Sequence, residues 1–390
     1  MEVAKKVKLI LIFGIRHRWE HQFVEPLRTV FHVEIVYFNS GVGKMGLPEF
    51  LRRLNKKIQD EGIGVAVFNV DFFSNIDYLL INSIQIPYKW LLAHDDPTHH
   101  VRNSITAIQA QVDGIIVADP VSGLKYRSLG FNTFFLPLEG GVVYSLPDNP
   151  EQDRPIDVLF IGRGDLANRR EYLQVLEGAG IKVRHEGGEV SRLTYDEMVQ
   201  LLRQAKLVLN FSLNTVQESD SIEPSVYRYL FEWKGRILEA GLCGALCVSE
   251  YAPSLELLFE EEEIPMFENP EQCIALIQRL LSDLKLQQSY RERFVSKCRL
   301  YEPEYLVRQF NPAVHPRRRL LRHPNAGRVP HWYHQQSFQS KFRIARHFSD
   351  ASHILSELGS IRAPIWFKVW ILVRGVSFIA RRLFRKIVKV

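Results

Sequence analysis

The sequence predicts an α/β protein with two successive doubly wound domains and a basic helical extension at its C-terminus. Three observations support this. Short β-branched apolar runs alternate with longer amphipathic segments, a Gly-, Pro- and acid-rich stretch interrupts them at 139–155, and the charge changes sign near residue 312. Nearly continuous apolar runs are typical of strands buried on both faces of a parallel sheet. A chain of 390 residues that is 46% apolar is long enough for two such domains.

The first predicted domain covers residues 1–145 and the second covers residues 155–310. Strands are predicted at 8–14, 33–39, 65–70, 88–94, 114–119 and 132–137, and then at 156–162, 181–187, 206–212, 245–250 and 263–268. Helices are predicted at 47–62, 169–179, 194–205, 234–243 and 270–283. Ligands of doubly wound sheets bind outside the carboxyl ends of the strands, so we expect the binding cleft between the two domains.

The extension, residues 311–390, differs from the body in charge. Residues 312–390 hold 16 Lys or Arg and two acids, whereas the rest of the chain holds 34 bases and 42 acids. We expect an extended segment over 311–336, a helix near 340–358, and a return of the chain to the first domain through 301–310. The tail is therefore expected to meet a negatively charged surface.

Within residues 362–390, the segment 364–390 is predicted to form an amphipathic helix with all seven of its bases on one side and large apolar residues such as Trp366 and Val369 on the other. Lys368 and Arg374 interrupt the apolar run, which favours a helix in the interface of an anionic membrane over a spanning one. The alternative is that the apolar face packs on the protein. No nucleic acid is expected as a partner, because the aromatic residues fall largely on the apolar face.

The N-terminal apolar run, 9–15, is too short for a secretory signal or a membrane span, which predicts a cytoplasmic protein, peripheral at most to the inner face of the cell membrane. Four cysteines show neither a Cys-x-x-Cys pair nor a zinc-like spacing to histidine. We therefore expect buried thiols, no disulfide, no metal site and no cofactor.

The stretch FEWKGRILEAGLCGAL (231–246) places two cations and a carboxylate beside glycines at a predicted helix start. Gly235 would let backbone approach a ligand closely, and Lys234 and Arg236 would supply positive charge for a phosphate. Glu239 lies about one turn further on, where a ribose hydroxyl pair is its natural partner. The alternative is that the cations are solvated and Glu239 pairs with one of them.

A second cluster favours a ligand. In DVLFIGRGDLANRR (157–170) a strand ends in Gly162 and Arg163, and a helix begins near Arg169 and Arg170. Two glycine-and-arginine turns that open on one cleft are better explained by a diphosphate than by chance. A dinucleotide fingerprint is not present, because the third glycine is missing at the required position.

Residues 157–283 resemble the C-terminal domain of GT-B glycosyltransferases, in particular the CgeB-like group related to the glycosyltransferase group 1 domain. The matching stretches are DVLFIG, NRREYLQVLEGAGIKV, KLVLNFS, KGRILEAGLCGALCVSE and EIPMFENPEQCIALIQRLLSD. Residues 113–141 resemble, more loosely, the last strand pair of the family's first domain. The resemblance implies a GT-B fold and a nucleotide-sugar donor bound to the second domain.

The resemblance also implies roles for particular residues. Arg163, Lys234 and Arg236 would hold the diphosphate with Arg169 or Arg170 as a helper, and Glu239 would bind the ribose. Many group 1 relatives carry two glutamates separated by seven residues. Here Glu232 and Glu239 are separated by six, so a donor-sugar role for Glu232 does not follow.

The catalytic residues are harder to assign. His94 and Asp95 follow the fourth strand and are candidates for a base or for positioning the donor sugar. Asp95 or Asp96 is as well explained as the cap of the next helix, with Pro97 in its first turn. Retaining and inverting chemistry both stay open.

Together these features predict a metal-independent glycosyltransferase that moves a sugar from a nucleoside diphosphate to a saccharide or lipid-linked acceptor. The alternative is a non-catalytic GT-B-fold protein that serves assembly or binding in a surface or spore layer.

Overall fold

A computed structural model describes the chain over residues 6–16, 20–70, 76–93, 96–137, 154–188, 193–213, 230–313, 329–344, 348–361 and 363–375. No helix within these stretches is long and apolar enough to cross a membrane.

The first domain is built on a sheet of six parallel strands in the order β2-β1-β3-β4-β5-β6. The strands are β1 (Lys8–Phe13), β2 (His32–Tyr37), β3 (Val65–Asn69), β4 (Tyr88–Ala93), β5 (Gly114–Val117) and β6 (Asn132–Phe135). The β1, β3, β4 and β5 runs are almost wholly buried, as the continuous apolar patterns predicted.

Helices cover the faces of this sheet. They are α1 (Glu20–Val30), α2 (Phe38–Met45), α3 (Leu47–Glu61), α4 (Tyr78–Asn82), α5 (Asp96–Ala110) and α6 (Pro120–Ser128). Helix α3 shows how the local sequence favours such a helix. Its residues Leu47, Leu51, Leu54 and Ile58 recur at three and four and are buried together, and Gly62 ends the helix in the left-handed conformation.

The second domain has five parallel strands in the order β11-β10-β9-β7-β8. These are β7 (Ile156–Ile161), β8 (Val183–Glu186), β9 (Ala205–Asn210), β10 (Leu246–Glu250) and β11 (Met266–Phe267). Its helices are α7 (Ala167–Gly178), α8 (Tyr195–Gln204), α9 (Arg236–Leu242), α10 (Pro253–Glu256), α11 (Pro270–Ser282) and α12 (Leu284–Arg299). Two parallel doubly wound sheets confirm the predicted fold class.

Helix α12 was not predicted, and it explains the small residues of α9. A Cβ atom on Gly241 would lie 2.3 Å from Sγ of Cys298, a residue of α12. Gly241 therefore lets α9 pack closely against this helix. All four cysteines are buried free thiols.

The chain then returns to the first domain. Helix α13 (Pro303–Val307) is followed by Phe310, whose ring packs edge-on against Trp90 (centroids 4.9 Å apart) and stacks on Phe134 (4.7 Å). The Trp90 indole N–H donates to the carbonyl of Pro312 (2.9 Å).

The extension forms helices α14 (His331–Ile344), α15 (Phe348–Ser360) and α16 (365–375). The prediction of an extended segment up to residue 336 and of one helix near 340–358 was wrong. Helix α14 begins just after Pro330 because Tyr333 and Phe338 bury their rings in the interior. Buried Lys341 forms ion pairs with Asp77 of the first domain (2.9 Å) and with Glu357 (2.6 Å), which fixes the extension to that domain.

Candidate active site

A pocket of ≈ 200 Å³ lies at the carboxyl ends of β7 and β9. The order of the second sheet reverses between these two strands, and such switch points are where open α/β sheets bind ligands. The pocket is lined by Phe160, Ile161, Arg169, Leu209, Asn210, Phe211, Lys234, Gly235, Arg236 and Glu239. Five of the seven predicted donor-binding residues are therefore brought together here, although they come from two distant stretches of the chain.

The carboxylates of the 231–246 stretch pair with its cations. Lys234 contacts the carboxylate of Glu232, and Arg236 contacts that of Glu239. The side chains of Glu232 and Glu239 are 8% and 4% exposed, whereas those of Lys234 and Arg236 keep 26% and 21% of their surface. The buried acids thus hold the two cations at the pocket while leaving part of each cation accessible.

Gly235 separates the two cations and has an ordinary right-handed helical conformation (φ −57°, ψ −24°). A left-handed backbone is therefore not the reason for a glycine there. What the glycine provides is a pocket wall without a side chain between Lys234 and Arg236.

Arg169 reaches the same pocket from helix α7. Its Nη1 donates to the carbonyl of Arg163 (3.2 Å), and burial lowers the pKa of its guanidinium, an effect that the neighbouring Glu250 carboxylate opposes. The Nε–H groups of Arg169 and Arg236 are buried and have no hydrogen-bond partner among the residues that the structure describes. Two buried cationic N–H groups beside one cavity are suited to binding an anion.

Arg163 and Gly162 lie just outside this pocket. The guanidinium of Arg163 is exposed and forms a bidentate ion pair with the carboxylate of Asp165 (3.1 and 2.6 Å). The carbonyl of Gly162 is 3.0 Å from Nε2 of His185. Arg163 is thus placed differently from Arg169, although the resemblance implied a role with the diphosphate for both residues.

The turn that supports Gly162 and Arg163 was missed in the sequence. Gly188 has a φ of 65°, and a Cβ atom there would lie 2.9 Å from the Cα of Arg163. A side chain at this position would push the loop away, so Gly188 is needed for the close packing. The double glycine after strand β8 was a usable signal.

Glu250 is a further buried group that the sequence analysis did not single out. It ends strand β10, and its Oε2 accepts hydrogen bonds from the backbone N–H groups of Ser212 (2.9 Å) and Leu213 (2.8 Å). Burial raises the pKa of Glu250, although these two hydrogen bonds and the charges of Arg169 and Lys234 act in the opposite direction. An acid at the end of a buried strand was the available signal.

The two predicted catalytic residues, His94 and Asp95, lie outside the described residues. They follow Ala93, the last residue of β4. Over the stretches that are described, no group of three or more His, Cys, Asp or Glu residues could hold a metal ion.

Known proteins share this architecture. Residues 169–308 match the glycosyl transferase-like family, a match that begins at Arg169 and includes the 231–246 stretch. No curated protein matches the chain.

Solved structures agree with this match. HepE from Anabaena, in complex with UDP and glucose, is 11% identical with a TM-score of 0.52, over 78% of this chain and 97% of HepE. Sucrose-phosphate synthase from Thermosynechococcus elongatus is 13% identical with a TM-score of 0.51, over 78% of this chain and 97% of that enzyme. A glycosyltransferase from Rickettsia africae is 10% identical with a TM-score of 0.52, over 78% of this chain and 96% of that protein.

The fold is that of GT-B glycosyltransferases, as the sequence predicted. It is the segment 169–308 that matches the glycosyl transferase-like family. Membership of the CgeB-like group stays a prediction.

Proposed function

We propose that this protein transfers a sugar from a nucleoside diphosphate sugar to a saccharide or lipid-linked acceptor without a divalent metal. One observation carries the proposal. Arg169, Lys234 and Arg236 line one pocket at the switch point of the second sheet, beside the buried carboxylate of Glu239.

The chemistry of transfer fits this charge distribution. The bond between the anomeric carbon and the diphosphate oxygen breaks, and the bonding electrons stay on the diphosphate. Arg169, Lys234 and Arg236 stabilise that developing negative charge, the part that a bound metal ion plays in other enzymes. Glu239, one turn along α9, accepts hydrogen bonds from the ribose hydroxyls.

The nucleobase of the donor is inferred from proteins of similar structure. HepE has been crystallised with UDP and with UDP-glucose, and it shares the fold of this chain. Uridine donors are therefore the first to test. On the acceptor side, we propose that His94 or Asp95 takes the proton of the acceptor hydroxyl or positions the donor sugar, since both follow a strand of the first sheet at its carboxyl end.

We also propose that helix α16 attaches the protein to an anionic membrane surface on the cytoplasmic side. Phe367 and Ile371 of this helix are buried against α14 and α15, whereas Trp366, Val369 and Val373 are 65%, 51% and 60% exposed. Three apolar side chains of the predicted membrane face are thus exposed, whereas Trp370 and Leu372 of that face pack against the buried cluster of the extension. The excess of bases in 312–390 would add attraction to anionic lipids.

The proposal is tested by release of nucleoside diphosphate from a panel of nucleoside diphosphate sugars, uridine donors first, with EDTA present and a mixed saccharide and lipid-linked acceptor fraction. Donor-dependent release that persists in EDTA is the expected result. A non-catalytic surface or spore-layer protein would release none. Release that requires added Mg²⁺ or Mn²⁺ would contradict the metal-independent mechanism.

A further inference from the structure

Asp119 follows strand β5 of the first domain and is buried where the two domains meet. Its Oδ1 accepts a hydrogen bond from the backbone N–H of Ser122 (3.0 Å), which caps helix α6. Its Oδ2 accepts two more from the second domain, one from the backbone N–H of Trp233 (2.8 Å) and one from the hydroxyl of Ser254 (2.5 Å). One carboxylate therefore joins the first domain to two separate segments of the second.

These two segments carry parts of the pocket or lie next to it. Trp233 immediately precedes Lys234, and Ser254 lies in helix α10, which follows the strand that ends in Glu250. The Trp233 ring also packs edge-on against Phe135 of the first domain (centroids 6.4 Å apart). A movement of one domain relative to the other would therefore displace the backbone beside Lys234.

We infer that Asp119 is a positioning residue that latches the two domains together and thereby sets the place of Lys234 during sugar transfer. This role in transfer rests on the proposed function, whereas the latch itself does not. The residue type fits the role, because a carboxylate accepts hydrogen bonds through both oxygens and an asparagine accepts through only one. Separation of the domains would leave the Asp119 carboxylate and the Trp233 N–H without these partners, which favours the closed arrangement.

Two variants weaken the latch in different ways. Ser254→Ala removes one donor from the second domain and leaves the Asp119 cap of α6 intact. Asp119→Asn keeps the shape of the side chain, but its single carbonyl oxygen cannot serve both the helix cap and the second domain. Asp283→Ala is a matched control, because Asp283 caps helix α12 through the N–H of Leu286 (3.0 Å), within the second domain.

The domain separation is measured between spin labels on Arg53→Cys in helix α3 and Gln278→Cys in helix α11, both exposed positions. The four native cysteines are buried, so the labels attach to the introduced ones. Distance distributions are recorded by double electron–electron resonance without ligand and with UDP. Both latch variants are expected to give broader distributions that extend to longer distances, and the Asp283→Ala control is expected to overlay the parent.

Turnover is measured with the panel donor that the parent uses fastest. We expect kcat to fall about tenfold in both latch variants, the order of effect of losing a hydrogen bond to a charged group, with a smaller change in the donor KM. Distributions that overlay the parent in both variants would overturn the latch, as would a lower melting temperature with unchanged distances and kcat. Longer distances together with a parent that transfers no sugar would reject the proposed function and support the latch. Ser254→Ala decides the question if Asp119→Asn does not fold.

Discussion

Arg236 forms an ion pair with Glu239, three residues further along helix α9, and both side chains line the pocket at the switch point of the second sheet. The carboxylate is almost fully buried, whereas the guanidinium keeps part of its surface and a buried Nε–H that has no partner in the described part of the chain. The acid therefore holds the arginine in place, and one face of the arginine remains available to an anion. The two interpretations left open by the sequence, an internal pair and a ligand site, are thus compatible.

Lys234→Ala and Arg236→Ala are each expected to lower donor turnover by about 100-fold or more, the range seen when one stabiliser of a developing anion is removed. Release of nucleoside diphosphate measures this, and circular dichroism checks that the fold is intact. Lys206→Ala is the control, because Lys206 pairs on the surface of the same domain with Asp157 (2.6 Å). Wild-type turnover in both pocket variants would contradict the site.

Substitutions of Arg169 and Arg163 are expected to differ in their effect on nucleotide binding, although both residues lie in the same 157–170 stretch. Arg169→Ala should weaken binding of the nucleoside diphosphate about tenfold, because Arg169 lines the pocket and pairs with no carboxylate there among the described residues. Arg163→Ala should change affinity by only about twofold, because its exposed guanidinium is paired with Asp165. Isothermal titration with UDP measures both, and the reverse ranking would place the diphosphate on the Gly162–Arg163 loop instead.

Glu239→Gln tests ribose recognition. The wild type is expected to prefer UDP over its 2′,3′-dideoxy analogue by about tenfold, since a carboxylate acceptor strengthens the bonds from the ribose hydroxyls. The variant should bind both nucleotides with similar affinity. Glu232→Gln, which removes the carboxylate paired with Lys234, should keep the preference. If Glu239→Gln keeps it as well, Glu239 serves only to hold Arg236.

The extension should make stability depend on pH. Burial lowers the pKa of His334 from its ordinary value of 6.5 to about 4, helped by His331 and Lys341 and opposed by Asp77. Between these two pH values the unfolded chain binds a proton that the folded chain does not, so the free energy of unfolding falls as the pH falls from about 6.5 to about 4. Urea unfolding across this range should show that the free energy of unfolding depends less steeply on pH in His334→Gln than in the parent. The exposed His32→Gln control should follow the parent. Parallel curves for the parent and His334→Gln would contradict the prediction.

Helix α16 should carry membrane binding. Replacing Trp366, Val369 and Val373 together by serine is expected to reduce flotation with anionic liposomes strongly, because these side chains supply most of the helix's exposed apolar surface beside Ile365. Leu284→Ser removes a comparably exposed apolar residue (66%) in the second domain and should leave flotation unchanged. Flotation of the triple variant at the parent's level would remove the membrane proposal, and deletion of residues 362–390 would then show whether any of the tail contributes.

Much of the fold was predictable because short stretches of sequence favour its individual strands. The strands from Lys8–Phe13 to Met266–Phe267 lie within or next to the predicted runs, since burial on both faces requires a continuous apolar stretch. Helices α12 and α14 were missed for the opposite reason. Helix α12 is rich in charged and amide side chains and buries few residues, and the start of α14 follows a Pro- and Arg-rich stretch that reads as extended.

The residue types of the candidate site were predictable from the sequence, but the contacts between its side chains were not. The glycine-and-cation turns at 162–170 and 234–239 were visible because ligand-binding loops carry unusual residue types at the ends of apolar strands. Nothing in the local pattern showed that Arg163 pairs with Asp165 while Arg169 enters the pocket, or that Glu250 lies beside them. Those outcomes depend on side-chain directions and on contacts between distant segments.

The sequence by itself therefore determined two parallel doubly wound domains and predicted a class of ligand and the loops that would meet it, because strand burial and phosphate recognition each leave a short-range pattern. Only the tertiary structure decided which cations share one pocket, that Asp119 of one domain binds the backbone beside Lys234 of the other, and which face of the last helix is exposed. These relationships join residues far apart in the chain. Their energies come from contacts that form when the domains pack, and a local pattern does not record such contacts.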